Sequence, residues 1–234
     1  MQIEEIKQSL NELADPEVAC HSQRFFKTGP GEYGEGDVFL GIRVPQLRSL
    51  AKHCLLLPLE DIYQLLTSAY HEERLLAVII LVNQYKKANA AQKLQIYRMY
   101  LTNKQYINNW DLVDTSADPI VGAQLLYKDR RPLYRLVKSK SLWDRRIAIM
   151  ATFHFIKQHD FNETLGLAEL LLCDKEDLLH KAVGWMLREI GKRDIAEEER
   201  FLQKYYQLMP RTMLRYAIEK FPKDRQQQYL KGYI

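Results

Sequence analysis

Three long stretches of this chain carry the same apolar period at a regular spacing, and this restricts the fold more than any other feature. "HEERLLAVIILVNQYKK" (71–87) sets Leu75, Leu76, Ile79, Ile80 and Val82 on one broad stripe. "SLWDRRIAIMATFHFIKQ" (141–158) and "KEDLLHKAVGWMLREIGK" (175–192) behave alike. Laid over one another, they bring Ala77, Ala148 and Ala182 into register, at spacings of about two repeats and one repeat of roughly 35 residues. A period of that length with two helices per unit predicts an all-α chain. Its helix pairs stack as an α-solenoid into a right-handed superhelix with one concave face.

The remainder fits that plan. Shorter amphipathic segments are predicted at about 91–101, 161–173, 195–207 and 210–220, joined by brief polar links. The opening "MQIEEIKQSLNEL" reads as a polar amphipathic helix, not as a secretory leader. Asp118-Pro119 reads as an N-cap followed by proline at the first helical position. Five of the ten glycines crowd into "TGPGEYGEGDVFLG". This segment, near residues 28–38, predicts a loop or a short hairpin. It is not a phosphate cradle, because no strand precedes it and no Gly-Lys-Ser/Thr follows. Residues 1–234 are expected to form a single domain.

Composition narrows function mainly by exclusion. The charge of +4 permits nucleic-acid binding without demanding it. Cys20, Cys54 and Cys173 are odd in number and far apart, which predicts reduced, buried thiols in a cytoplasmic protein. No apolar run is long enough to span a membrane. The six histidines form no metal-ligand pattern, and no nucleophile elbow, Rossmann loop or Walker loop occurs.

What remains is a basic and aromatic pattern. Trp143 is followed by Asp144, Arg145 and Arg146. Lys181, Trp185, Arg188 and Lys192 fall at i, i+4, i+7 and i+11, one stripe of a helix. On a single helix this would be a solvated basic face with a half-buried tryptophan. Repetition of cations at equivalent places in neighbouring repeats points instead to a row that tracks a phosphate backbone. One repeat upstream lies "NNWDLVD" (108–114), which places Trp110 and Asp114 on one helical face. Singly, Trp110 reads as a core residue and Asp114 as a cap or turn residue. Asp111 is one position off the shared face and reads as structural. Together with Trp185, Trp110 and Asp114 offer a carboxylate and two indole faces, a good environment for a cation.

Four stretches, "FLGIRVPQLR" (39–48), "NNWDLVD", "SLWDRRIAI" (141–149) and "KAVGWMLRE" (181–189), carry a resemblance that covers nearly the whole chain. The sequence resembles the AlkD-type bacterial DNA glycosylases, HEAT-like-repeat proteins that remove alkylated purines. The resemblance implies a concave basic surface that holds double-stranded DNA. It implies a catalytic aspartate at Asp114, flanking tryptophans at Trp110 and Trp185, and an arginine contacting DNA at Arg146. It implies a monomer that uses no metal or organic cofactor and need not flip the base into a pocket. Under it, Arg145, Lys181, Arg188 and Lys192 are DNA-binding candidates. So is Phe25, which stands where the best-characterised type has a tyrosine that approaches DNA. The Gly-rich insertion is longer than in that type. These two departures support an alternative, a weakly catalytic or non-catalytic binder of branched or distorted DNA.

Overall fold

The computed structural model describes residues 1–234. It is all-α, as the periodicity predicts, and its only strand-like feature is an isolated bridge between Val38 and Tyr70. None of its helices is long and apolar enough to cross a membrane. The chain divides into two compact units, Met1–Ile120 and Val121–Ile234.

The first unit contains α1 (Ile3–Leu13), α2 (Pro16–Phe25), α3 (Val44–His53), α4 (Leu59–Leu66), α5 (His71–Lys87), α6 (Ala90–Thr102) and α7 (Trp110–Ser116). Helix α5 is its axis: α3, α4, α6 and α7 all pack against it. It is buried continuously from His71 to Val82, so it is apolar on every side rather than along one stripe. Glu72 and Glu73 lie in its first turn and Lys86 and Lys87 in its last, both favourable to the helix dipole. Gln84 Nε2 donates to the Leu55 and Leu57 carbonyls, tying α5 to the loop between α3 and α4. Local signals set the other helix starts. Asp15 caps α2 ahead of Pro16, and Asn89 with Gln92 forms a capping box on α6.

The second unit contains α8 (Ala123–Leu125), α9 (Arg131–Leu136), α10 (Leu142–Ala151), α11 (Phe153–Ile156), α12 (Asn162–Leu170), α13 (Asp177–Gly191), α14 (Ile195–Tyr205), α15 (Arg211–Ala217) and α16 (Lys223–Lys231). Helix α13 is central, packed by α10, α12, α14 and most extensively α15. Gly184 permits the last contact. A Cβ there would lie 2.4 Å from the Met213 carbonyl oxygen and 2.5 Å from Tyr216 Cβ.

Residues 28–38 form a chain of turns, the loop of the two expected alternatives. Other local expectations are corrected. Asp118-Pro119 does not start a helix but lies inside a π-helical stretch, Ala117–Gly122, that follows α7. Proline lacks the N–H an α-turn needs, and a widened turn tolerates the loss. The expected helix 141–158 is interrupted at Thr152, whose hydroxyl donates to the Ile149 carbonyl (2.7 Å) and so bends the backbone. Of the three cysteines only Cys54 is buried; Cys20 and Cys173 are exposed, and all three are free.

Candidate active site

In the first unit the polar opening of α5 accounts for the site. An apolar helix that begins His-Glu-Glu-Arg and buries all four residues draws partners to His71, Glu72 and Arg74. Glu72 accepts the Leu40, Gly41 and Ile42 N–H groups at 2.9, 2.8 and 3.2 Å, gathering the end of the Gly-rich segment onto α5. Gly41 takes φ +85° there, and a Cβ would strike the Asp15 carbonyl oxygen at 2.0 Å, so only glycine fits.

His71, 1% exposed, lies between two carboxylates. Its Nδ1 is 3.1 Å from Asp37 Oδ2 and its Nε2 is 2.8 Å from Asp111 Oδ2. Burial acts to lower the imidazole pKa, but the bonds to Asp111 and Asp37 outweigh it and hold the group at about 9. The ring is therefore imidazolium at neutral pH and donates from both nitrogens. Burial likewise acts to raise Asp37. The His71 bond, the Arg74 charge and the Asn109 bond overcome it, and its carboxyl falls below the usual range. Arg74 completes the cluster. It pairs with Asp37 through Nη2 and donates from Nη1 to the Ser68 and Ala69 carbonyls.

This cluster terminates on α7. Asn109, fully buried, is the N-cap: its Oδ1 accepts the Trp110 N–H (2.8 Å) while its Nδ2 donates to Asp37 Oδ2 (3.0 Å). Asp111 in the first turn receives His71. At the far end Ser116 bonds Tyr100 (3.0 Å) and donates to the Leu112 carbonyl (2.6 Å). Both ends of this seven-residue helix are thus held from the core.

The same arrangement backs Trp110 with aromatic rings. Trp110 stacks on Phe26 at 5.3 Å with planes 17° apart, and Phe25 meets it edge-on at 6.0 Å. Phe26 in turn packs on Phe39 (5.1 Å) and on His71 (4.9 Å). Phe25 stays 58% exposed, so the aromatic column runs from the imidazolium to the surface. Asp114 lies one turn beyond Trp110 on α7, and both are partly exposed.

The second unit holds the other expected residues. Trp185 on α13 is partly exposed. Its Nε1 donates to Glu189 Oε1 (3.3 Å), and its ring leans on Phe153 at 6.4 Å. Burial acts to raise the Glu189 carboxyl, but bonds from Lys192 and Arg193 bring it below its usual range. The five cations singled out in this unit are engaged. Arg145 donates to Asp174 (2.7 Å) and to the Ser139 and Lys140 carbonyls. Arg146, 5% exposed, donates to the Leu178 carbonyl. Lys181 pairs with Asp177 (2.7 Å), Lys192 with Glu189 (2.5 Å), and Arg188 with Glu219.

Comparison with known proteins bears on the family and the fold. The sequence profile described as DNA alkylation repair enzyme matches residues 6–221. The chain belongs to that family. No curated protein matches it. A solved structure described as a predicted DNA alkylation repair enzyme from Enterococcus faecalis superposes with a TM-score of 0.69 over 90% of this chain and 97% of that one. At 17% identity, that likeness shows the fold.

Membership in the DNA alkylation repair family gives the chain a role in DNA repair. For this family member the structure brings Phe25, Trp110 and Asp114 together in one unit, with Phe25 touching Trp110 directly. Trp185, Arg145, Arg146, Lys181, Arg188 and Lys192 all lie in the other. Sequence reading missed Asp37, His71, Arg74 and Asn109. The available signal was the polar quartet opening an apolar helix, which demands buried partners. No group of three or more His, Cys, Asp or Glu side chains is arranged to hold a metal ion.

Proposed function

We propose that this protein hydrolyses the N-glycosidic bond of positively charged N3- and N7-alkylated purines in duplex DNA, with Asp114 as the catalytic carboxylate. The observation that carries the reading is the rigid presentation of Trp110 and Asp114, one turn apart on a helix locked at both ends.

Alkylation leaves the purine cationic, so the base departs as a neutral leaving group without a strong general acid. The difficult species is the oxocarbenium-like sugar. Asp114 as carboxylate stabilises that cation and orients or deprotonates the water that adds to the anomeric carbon. The Trp110 indole face, backed by Phe26, attracts the same positive charge, by roughly 0.5–2 kcal/mol. In the second unit, Trp185 offers DNA an indole face of its own, and Arg146 serves as a phosphate contact. Arg145, Lys181, Arg188 and Lys192 serve the backbone once they exchange their internal carboxylate or carbonyl partners for phosphates. The chemistry draws on side chains alone and requires no cofactor.

The test is release of 7-methylguanine and 3-methyladenine from alkylated duplex by the wild type and by Asp114→Asn. Base release by Asp114→Asn should fall about 10²–10³-fold, the usual cost of removing a group aimed at developing charge. Equal release by both proteins sinks the assignment.

A second reading, binding of branched or distorted DNA without excision, is favoured by Phe25. An exposed ring without a hydroxyl, set edge-on to Trp110, is suited to stacking on an unpaired base. It predicts tight junction binding that Phe25→Ala weakens about tenfold, with no base release by the wild type.

A further inference from the structure

The densest net positive charge in the chain lies on side chains that the proposed site does not use. Between Tyr127 and Lys140 there are six Lys and Arg residues and one Asp. That segment alone carries more positive charge than the +4 of the whole protein. Helix α9 organises it. Leu133, Leu136 and Val137 are buried and face α10, which fixes the helix to the body of its unit. Arg131, Arg135 and Lys138 lie on the opposite, exposed side at i, i+4 and i+7 and, with Tyr134, line a shallow surface depression.

Nearby acids do not neutralise this row. Arg130, the inward-turned cation, takes both Asp160 (2.7 Å) and Glu163 (3.6 Å). Arg131 pairs with Asp129 across an exposed, screened contact (2.7 Å). Arg135 and Lys138 have no ion pair, although the chain contains 30 carboxylates. Like charges at helical neighbours cost stability unless an outside anion offsets them.

We propose that the exposed face of α9 is a docking surface for the phosphate backbone of duplex DNA, gripped by Arg131, Arg135 and Lys138. From Arg131 to Lys138, through the six residues of α9 and the turn that follows, the chain rises about 10 Å, the run of roughly three phosphates on one strand. The depression offers no deep apolar socket of the kind that anchors a peptide partner. A backbone needs only charge and donors. The surface gives sequence-independent affinity. It rests on the DNA-repair reading but not on catalysis by Asp114.

The test is the salt dependence of binding to an unmodified 20-base-pair duplex, measured for the wild type, Arg135→Ala/Lys138→Ala and a charge-matched control. The control, Lys86→Ala/Lys87→Ala, removes two exposed cations from α5. Each lost phosphate contact lowers the slope of log K against log salt by about 0.9. The α9 variant should therefore lose close to two in slope while the control keeps the wild-type value. An equal loss in both variants, or no loss in either, overturns the proposal. So does retention of the DNA slope together with lost binding of a poly-glutamate peptide, which would mark a protein-binding surface instead. Base release assayed on the same preparations separates the two readings. Release without an α9 effect retains the glycosylase and removes the docking surface. An α9 effect without release does the reverse, and a wild type that binds no duplex overturns both.

Discussion

His71 Nε2 lies 2.8 Å from Asp111 Oδ2, and this contact joins the first residue of α5 to the first turn of the helix that carries Trp110 and Asp114. Because the imidazolium also bonds Asp37, one buried cation holds the Gly-rich segment and α7 together. The site's rigidity therefore depends on a proton.

That dependence predicts a pH profile. The folded pKa of His71 is raised to about 9 from an ordinary 6.5. Its contribution is fully present below pH 6.5, declines as pH rises, and is gone above about 9. The difference amounts to something on the order of 3 kcal/mol at full loss. Asp37, lowered, contributes in the opposite sense, and its share is lost only as pH falls toward the acid range. Urea midpoints should therefore decline between pH 6.5 and 9 in the wild type. His71→Gln should start about 3–5 kcal/mol lower, from unpaired carboxylates, and show less of that decline. Parallel profiles in the two proteins would remove His71 from the account.

Asn109 separates two duties that one amide performs. Asn109→Ser keeps an oxygen for the Trp110 N–H and loses only the donor to Asp37, at a cost of about 1–2 kcal/mol. Asn109→Asp also keeps a capping oxygen but sets a second carboxylate against Asp37. It should be the worse variant by a further 2 kcal/mol or so at pH 7.5, and the gap should narrow at pH 5 as the new acid protonates. Chemical denaturation at the two pH values decides this. An Asp variant equal to the Ser variant at pH 7.5 would show that Asp37 does not need the amide.

Glu198 on α14 makes a prediction of the same pH sense in the second unit. It is 1% exposed and lies over Gly191, where a Cβ would fall 1.6 Å from its Oε2. Burial raises its pKa to about 9, Glu199 adds to the rise, and Arg188 offsets only part of it. Folding therefore holds a proton that the unfolded chain releases near 4.5, and stability drains away as pH climbs from 4.5 toward 9. Glu198→Gln mimics the neutral acid without that drain. It should match the wild type at pH 5 and exceed it by a few kcal/mol at pH 8 in urea unfolding. A variant less stable than the wild type at pH 8 would refute the assignment.

Helix content was legible in the sequence because periodicity is a local property. The stretch 71–87 predicts α5 to the residue, and Ala77, Ala148 and Ala182 are all fully buried. The shared face of Trp110 and Asp114 follows from their spacing alone, since both lie in α7. Asp111, read as structural from its position off that face, does bond into the core. Local reading failed where a residue's surroundings come from elsewhere in the chain. Asp118-Pro119 has the composition of a helix start, yet the chain there is already helical. Arg188 looks like a free basic residue on its own helix, and its partner is Glu219, 31 residues away.

The sequence by itself determined that the chain is all-α, the run of α5, and that Trp110 and Asp114 share one helix face. Only the tertiary structure decided what holds them there. Asp37, His71 and Asn109 are separated by tens of residues, and no periodicity links them. They meet because α5 buries its polar first turn, and a buried charge must be met by a partner wherever in the chain one can be found.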